Sequence, residues 1–379
     1  MKITEIRLSV FELPANTRLF DLARVEVGAA RQWERRPGPA HNETIQLLHV
    51  FTDAGVEGIC TVGDARYTNM RPFDLEQLRH LTLGADPRDR EFLYHKLHAA
   101  TRSMFTMPGW FGAFDNCLWD IIGKLANQPV YALLGRARAS CPAYYNVRGG
   151  ALEATVEDAH AACEAGYVAL KDHFLQDATR NIHGFEAMRA AVGPDIDLLH
   201  DAALCSYTYA DALRVGRALE TLGYGWFEEP LPDRDQIGLQ RLCAQLDIPI
   251  VAAETLMHDI DLSRLWLIQG ATDWLRANAR LGVTPLMKLA HLAELHGARI
   301  ELNGPGGLFG LVHAHLVCAL ENTSYYEYFP GGSRDEIGAQ IGLTNPPLPH
   351  KGRITPPTGP GWGAEWDWAT LQRRRTAYL

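Results

Sequence analysis

The sequence predicts an α/β protein, an α+β region followed by a (β/α)8-type barrel, and three observations support this. Eight short apolar segments recur from Cys141 onward, and their tips, taken at 146, 173, 201, 228, 254, 278, 303 and 327, are 27, 28, 27, 26, 24, 25 and 24 residues apart. Amphipathic stretches such as Tyr209–Leu222 and Pro285–Leu295 fill the intervals, which is the alternation of a parallel sheet wrapped by helices. Neither a GxGxxG nor a P-loop occurs, so a doubly wound nucleotide-binding sheet has no support.

Each element has its own reason. Lys2–Leu13 alternates apolar and polar residues as a half-buried strand does, and Glu43–Thr52 does so again. The turn residues of DAGVEG then lead into a third strand at Gly58–Gly63. Between the first two strands, Asn16–Asn42 carries five arginines and little periodicity, so a long functional loop or lid, or else a mobile segment, is expected. From Asp74 to Gly135 the pattern is helical. Apolar residues at 113, 114, 117, 118, 121, 122 and 125 keep a 3.6-residue period, and Gly135 stops the run. The Pro- and Gly-rich tail from Lys351 is expected to fold back on the first domain.

Composition narrows the function. The chain has 379 residues, 47% hydrophobic and 21% charged, and carries a net charge of −9. Those proportions are globular, and the acidic balance disfavours nucleic acid as a partner. No run approaches the ~18 apolar residues of a membrane span. The N-terminus lacks an unbroken apolar stretch, so a cytoplasmic protein is expected. Seven cysteines stand singly without CxxC spacing, which points to reduced thiols and not to a disulfide framework or a thiolate zinc site.

The polar residues at the strand tips carry the chemistry. Parallel barrel strands are buried on both faces, and an ionised group there is costly unless paired or metal-bound. Asp201 ends the third barrel strand, Glu228 and Glu229 the fourth and Glu254 the fifth. Barrel active sites form at this face. Three carboxylates converging from adjacent strands would repel, and a hard cation, Mg2+ first, resolves the repulsion; a lone carboxylate of this kind would instead cap the next helix. Glu228 is preferred over Glu229, whose opposite parity aims it at the helix layer. On the second strand Lys171 and His173 share a face and point into the mouth, both competent for proton transfer. Asp172 faces the helices, where an Arg partner is expected.

The order of carboxylates at 201, 228 and 254, the WFEEP motif at 226–230 and the Lys-x-basic pair at 171 and 173 resemble the enolase superfamily, its mandelate racemase-like subgroup in particular. DAGVEG resembles that family's hairpin, FDNCLWDIIGKLANQPVYALLG (114–135) its helix before the barrel and GPGWG (359–363) its closing segment. The resemblance covers essentially the whole chain. It implies a modified (β/α)7β TIM-type barrel over residues 136–350 and an α+β capping domain over 1–135, completed by the tail 351–379. It implies Mg2+-assisted abstraction of the proton α to a carboxylate, giving an enediolate. Asp201, Glu228 and Glu254 match the metal ligands, His173 the base, Lys171 the lysine that holds the substrate carboxylate, and Glu327 the strand-eight glutamate. A homo-oligomer is also implied.

The sequence departs from the pattern at strands six and seven. Many relatives carry an Asp and a His there, whereas this chain has Asn278 and Asn303. Neither amide titrates near neutral pH, so racemisation with bases on both faces is disfavoured, and Asn303 is left to hydrogen-bond a substrate hydroxyl. Asp273 lies at the wrong end of strand six to substitute. His313 and His315 read as structural. A one-sided reaction remains, in which His173 takes the α-proton and returns it to a departing β-hydroxyl, as in dehydration of an aldonate or aldarate to a 2-keto-3-deoxy acid. Arg24, Arg31, Arg66, Tyr67, Asn146 and Arg148 are candidate contacts to such a small polyhydroxy carboxylate. The alternatives are a cycloisomerase or lactone-processing enzyme, and a metal-binding member that has lost catalysis.

Overall fold

The computed structural model describes residues 1–27, 30–63, 69–203, 205–304, 306–330 and 335–379. Thirteen strands fall into two sheets among these residues. The first sheet is antiparallel, in the order β13-β1-β2-β3, with β1 at Ile3–Val27, β2 at Ala30–Thr52, β3 at Glu57–Thr61 and β13 at Ala377–Tyr378. The C-terminal tail therefore returns to the first strand, with Ser9 opposite Tyr378. Helices α1 (Pro72–Thr82), α2 (Arg90–Met104) and α3 (Gly112–Ala126) follow this sheet.

The second sheet is the barrel. Its strands are β4 (Cys141–Asn146), β5 (Ala169–Asp172), β6 (Asp197–Asp201), β7 (Tyr224–Glu228), β8 (Ile250–Ala252), β9 (Trp274–Ala277), β10 (Ile300–Leu302) and β11 (Tyr326–Tyr328). They run parallel in the path β10-β9-β8-β7-β6-β5-β4-β11, a nearly closed ring, and β12 (Arg353–Ile354) pairs antiparallel with β4. The expected eight strands are all present, with helices between them.

Alternation inside the barrel sorts side chains into layers. The floor is an apolar cluster of Tyr144, Ala169, Leu199, Trp226 and Val251. One step further along β5, β6 and β7, the same faces carry Lys171, Asp201 and Glu228. The main core lies outside the barrel, between its strands, the surrounding helices and the first sheet.

Helix α3 locks the two sheets together, and this explains the FDN motif. Asn116 donates to the Ala279 carbonyl at 2.8 Å and accepts from Val283 N–H at 3.0 Å. Asp115 accepts from Thr284 N–H at 2.8 Å, so α3 clamps the loop that follows β9. A Cβ at Gly112 would sit 1.8 Å from the Arg280 carbonyl oxygen, so only glycine permits this approach. Asp120 ties in the tail by accepting from Trp362 N–H at 3.0 Å.

One expectation fails. Asn16–Asn42 is not an irregular loop. It continues β1 and β2 as a two-stranded ribbon from Thr17 opposite His41 to Val27 opposite Ala30. Without a core beneath it, the stretch never acquires the clean buried–exposed alternation that marks a strand in sequence.

Candidate active site

The charged layer at the C-terminal end of the barrel is a network of alternating sign. Lys171 on β5 is 1% exposed, and its Nζ lies 3.1 Å from Asp201, 3.1 Å from Glu228 and 3.0 Å from Glu327. Arg276 on β9 is fully buried. Its Nε lies 2.6 Å from Glu228 and 3.8 Å from Glu254, and its Nη2 lies 3.3 Å from Glu327 and 2.8 Å from the Tyr144 hydroxyl. Burial works against both cations, but Glu228 above all holds each of them well above its ordinary pKa.

The carboxylates are unequally served. Burial opposes ionisation of Asp201, yet Lys171 and then His173 hold it well below the usual carboxylate range. Burial pushes Glu228 up to about 7 against the pull of Arg276, with Asp201 adding to the rise. Glu254 is raised as well, by burial in the first place. Its position depends on Ala253, whose φ of +80° turns the chain out of β8 so that Glu254 lies in a short 3-10 turn beyond the strand end.

His173 stands at the rim, just past β5. Its Nε2 lies 3.3 Å from Asp201, and its side chain is 30% exposed against 1% for Lys171, which lies one layer deeper. The structure brings Lys171, His173, Asp201, Glu228, Glu254 and Glu327 into one constellation. Asn146 joins it, donating to Glu327 at 3.4 Å and to the Tyr328 carbonyl at 3.0 Å.

The facing side is neutral. Asn278 donates to Asn303 Oδ1 at 2.9 Å and to the Asn303 carbonyl, and its own Oδ1 accepts from Arg280 N–H at 2.8 Å. Behind them His313 donates from Nδ1 to the Gly304 carbonyl at 2.8 Å and accepts at Nε2 from Ala279 N–H at 3.0 Å. His313 therefore joins the ends of β9 and β10 as a neutral imidazole. His315 is equally structural, accepting from Tyr131 N–H at 3.2 Å.

Several expectations are corrected. Asp172 pairs with a histidine and not an arginine: its Oδ1 lies 2.7 Å from His200 Nδ1, and the carboxylate outweighs burial to lift His200 to about 9. The parity argument for Glu229 does not hold: its φ of +46° takes it out of the extended backbone of β7, so strand alternation does not set its direction. Burial and then the neighbouring Glu254 push its carboxyl up to about 10. Arg24 is exposed on the ribbon opposite Trp33, and Arg148 is exposed beside Asp158, so neither joins the constellation. Arg66, Tyr67 and the Arg31 side chain lie outside the described residues.

Two inward groups were missed. Arg276 shares strand parity with Asn278, and Glu301 shares it with Asn303, where Glu301 is buried and accepts from Ser324 N–H at 2.9 Å. A charged residue at an inward position of a buried strand was the available signal for both.

Asp201, Glu228 and Glu254 carry carboxylate oxygens of the hard kind that Mg2+ takes. Among the described residues no three acidic or histidine side chains are already gathered as an ion-holding group, because Lys171 and Arg276 stand among them. The charge balance nevertheless fits a cation. Glu228, Glu229 and Glu254 are all raised by burial and by neighbouring carboxylates.

Comparison with known proteins agrees with this geometry. Residues 154–370 match the family model described as enolase C-terminal domain-like. A crystal structure of D-glucarate dehydratase from Agrobacterium tumefaciens complexed with magnesium superposes with a TM-score of 0.80 at 30% identity, covering 99% of each chain. L-talarate/galactarate dehydratase of Salmonella typhimurium is 28% identical over 341 residues, 86% of this chain and 81% of its own length. Arabinonate dehydratase of Saccharolobus solfataricus is 29% identical over 304 residues, 76% of this chain and 78% of its own. The barrel, its antiparallel cap and these relatives place the chain in the enolase superfamily, in its mandelate racemase-like subgroup.

Proposed function

We propose that the protein is a Mg2+-dependent sugar-acid dehydratase that converts an aldonate or aldarate into a 2-keto-3-deoxy acid. The observation that carries this reading is the asymmetry of the mouth: titratable groups on the His173 side, and two mutually bonded amides on the other. The relatives named as dehydratases of glucarate, galactarate and arabinonate support the substrate class.

Asp201, Glu228 and Glu254 would hold the cation. When bound, it supplies positive charge that lowers the cost of negative charge developing on the substrate carboxylate. Lys171 brings an ammonium that stays protonated and neutralises the same carboxylate. His173, as the neutral imidazole, removes the α-proton, and the electron pair left on Cα moves into the carboxylate. The pair then returns to form the Cα–Cβ double bond as the Cβ–O bond breaks. The imidazolium gives its proton to the departing hydroxyl, so water leaves and His173 is neutral again. The enol product then tautomerises to the 2-keto acid. Base and acid act on one face, so nothing is asked of Asn278 and Asn303 except to hold the substrate in place.

The test is a library of aldonates and aldarates incubated with enzyme and Mg2+, with 2-keto acid detected as its semicarbazone. One or a few positive members are expected. Products of unchanged mass would replace dehydration by cycloisomerisation, and bound sugar acid without α-proton exchange in D2O would mean that catalysis has been lost.

A further inference from the structure

Arg276 takes no part in the proton chemistry proposed above, yet it stands among the groups that would hold the cation. It occupies an inward position on β9, in register with Glu301 of β10, and its side chain is fully buried. One guanidinium reaches carboxylates on three different elements. Its Nε lies 2.6 Å from Glu228 at the end of β7 and 3.8 Å from Glu254 in the turn beyond β8, and its Nη2 lies 3.3 Å from Glu327 on β11. Two of these three carboxylates are the proposed Mg2+ ligands.

Charge pairing alone does not account for a second cation here. Lys171 already lies 3.1 Å from Glu228 and 3.0 Å from Glu327, and a bound Mg2+ would neutralise Glu228 and Glu254 again. Burying a guanidinium is costly unless all of it is matched, and Nη1 finds no hydrogen-bond partner among the described residues. The two cations also differ in kind. Lys171 carries its charge on a flexible stem, whereas the planar guanidinium is always charged and is held by the Tyr144 hydroxyl at 2.8 Å as well. Arg276 therefore meets an entering metal ion as a permanent positive charge. Coulomb repulsion scales with the charge of that ion, so a trivalent ion is opposed one and a half times as strongly as a divalent one. Without such a charge, converging carboxylates favour the ion of higher valence. We infer that Arg276 is the selectivity residue of this site: from beside Glu228 and Glu254 it offsets part of the carboxylate field, and so holds the site to divalent ions against trivalent ones. This role rests on Asp201, Glu228 and Glu254 holding the cation.

Calorimetric titration of the EDTA-stripped protein with Mg2+ and with La3+, in a non-coordinating buffer, tests it. Arg276→Gln removes one unit of positive charge. It should tighten Mg2+ by about tenfold and La3+ by about thirtyfold, the same change raised to the power three halves. Arg276→Lys keeps the charge and should bind both ions within about threefold of the wild type. A merely structural arginine would do the opposite, because both variants would then lose affinity for both ions. If the glutamine variant loses its fold by near-UV circular dichroism, the lysine variant decides alone. Affinities within that threefold margin support the charge role, and a larger loss for both ions overturns it. Affinities in Arg276→Gln that fall, stay unchanged or rise equally for both ions also overturn it, while Glu254→Gln still fails to take up Mg2+. A wild type that binds neither ion, or Glu254→Gln that binds Mg2+ as the wild type does, overturns the metal site itself.

Discussion

Strands β6 and β7 end in carboxylates that nothing on those strands neutralises, whereas β9 and β10 run on into amides that satisfy each other. Asp201 and Glu228 depend on Lys171 and Arg276, which reach them from β5 and β9. Asn278 and Asn303 need only each other and the backbone that His313 braces. One side of the mouth is held in electrostatic tension, and the other is closed and neutral. Chemistry that moves protons and charge belongs on the first side, and shape recognition on the second.

The comparison can be broken most sharply at Glu254. Glu254→Gln should abolish turnover and weaken Mg2+ affinity at least tenfold by calorimetric titration, on the order of 1.4 kcal/mol, while the thermal midpoint holds or rises because a crowded carboxylate has been removed. Unchanged Mg2+ affinity would remove Glu254 from the ligand set.

Arg276→Met attacks stability on the same side. It strands Glu228 and Glu327 with one cation fewer in a buried site, and breaking such a pair costs about 3–5 kcal/mol. Urea denaturation should register a loss of that size. A loss below about 1 kcal/mol would mean that water or Lys171 takes over.

The amide side should respond more mildly. Asn278→Ala removes neutral hydrogen bonds worth about 1 kcal/mol each, so turnover should fall by about tenfold or less. A fall to the level of a lost general base, about 10²–10⁴-fold, would place essential chemistry on that face.

The smallest effect concerns the clamp beneath the amide side. Burial raises Asp115 to about 6 from 3.8 in the folded state, against its hydrogen bond to Thr284. The folded state therefore binds the extra proton between these values. Stability from this group should fall as pH rises from about 4 to about 6 and stay flat above, by on the order of 2–3 kcal/mol at most. Asp115→Asn should flatten that part of the stability–pH curve; an unaltered slope would show that Asp115 ionises normally.

Most of the fold was legible because an even repeat of about 25 residues has few other physical meanings. The carboxylates at 201, 228 and 254 were legible for the same reason, since strand tips locate themselves once the repeat is seen. What stayed hidden depends on local backbone or on long-range pairing. The positive φ of Glu229 has no glycine to announce it, so parity was applied where the backbone no longer supports it. The Asp172–His200 pair joins neighbouring strands 28 residues apart, where either basic residue type would serve equally. The ribbon was missed because none of its described side chains is buried, so no buried face imprinted a period on it.

The one-sidedness of the proton chemistry is tested most directly by α-proton exchange in D2O, followed by proton NMR with Mg2+ and a turned-over sugar acid. His173→Asn should lower exchange by 10⁴-fold or more, at or above the usual reach of general-base catalysis because no second base faces the substrate, with Mg2+ affinity and fold intact. Lys171→Met should also weaken binding of an unreactive substrate analogue. Exchange that persists in His173→Asn and vanishes in Lys171→Met, with analogue binding preserved, would contradict the assignment and make Lys171 the base.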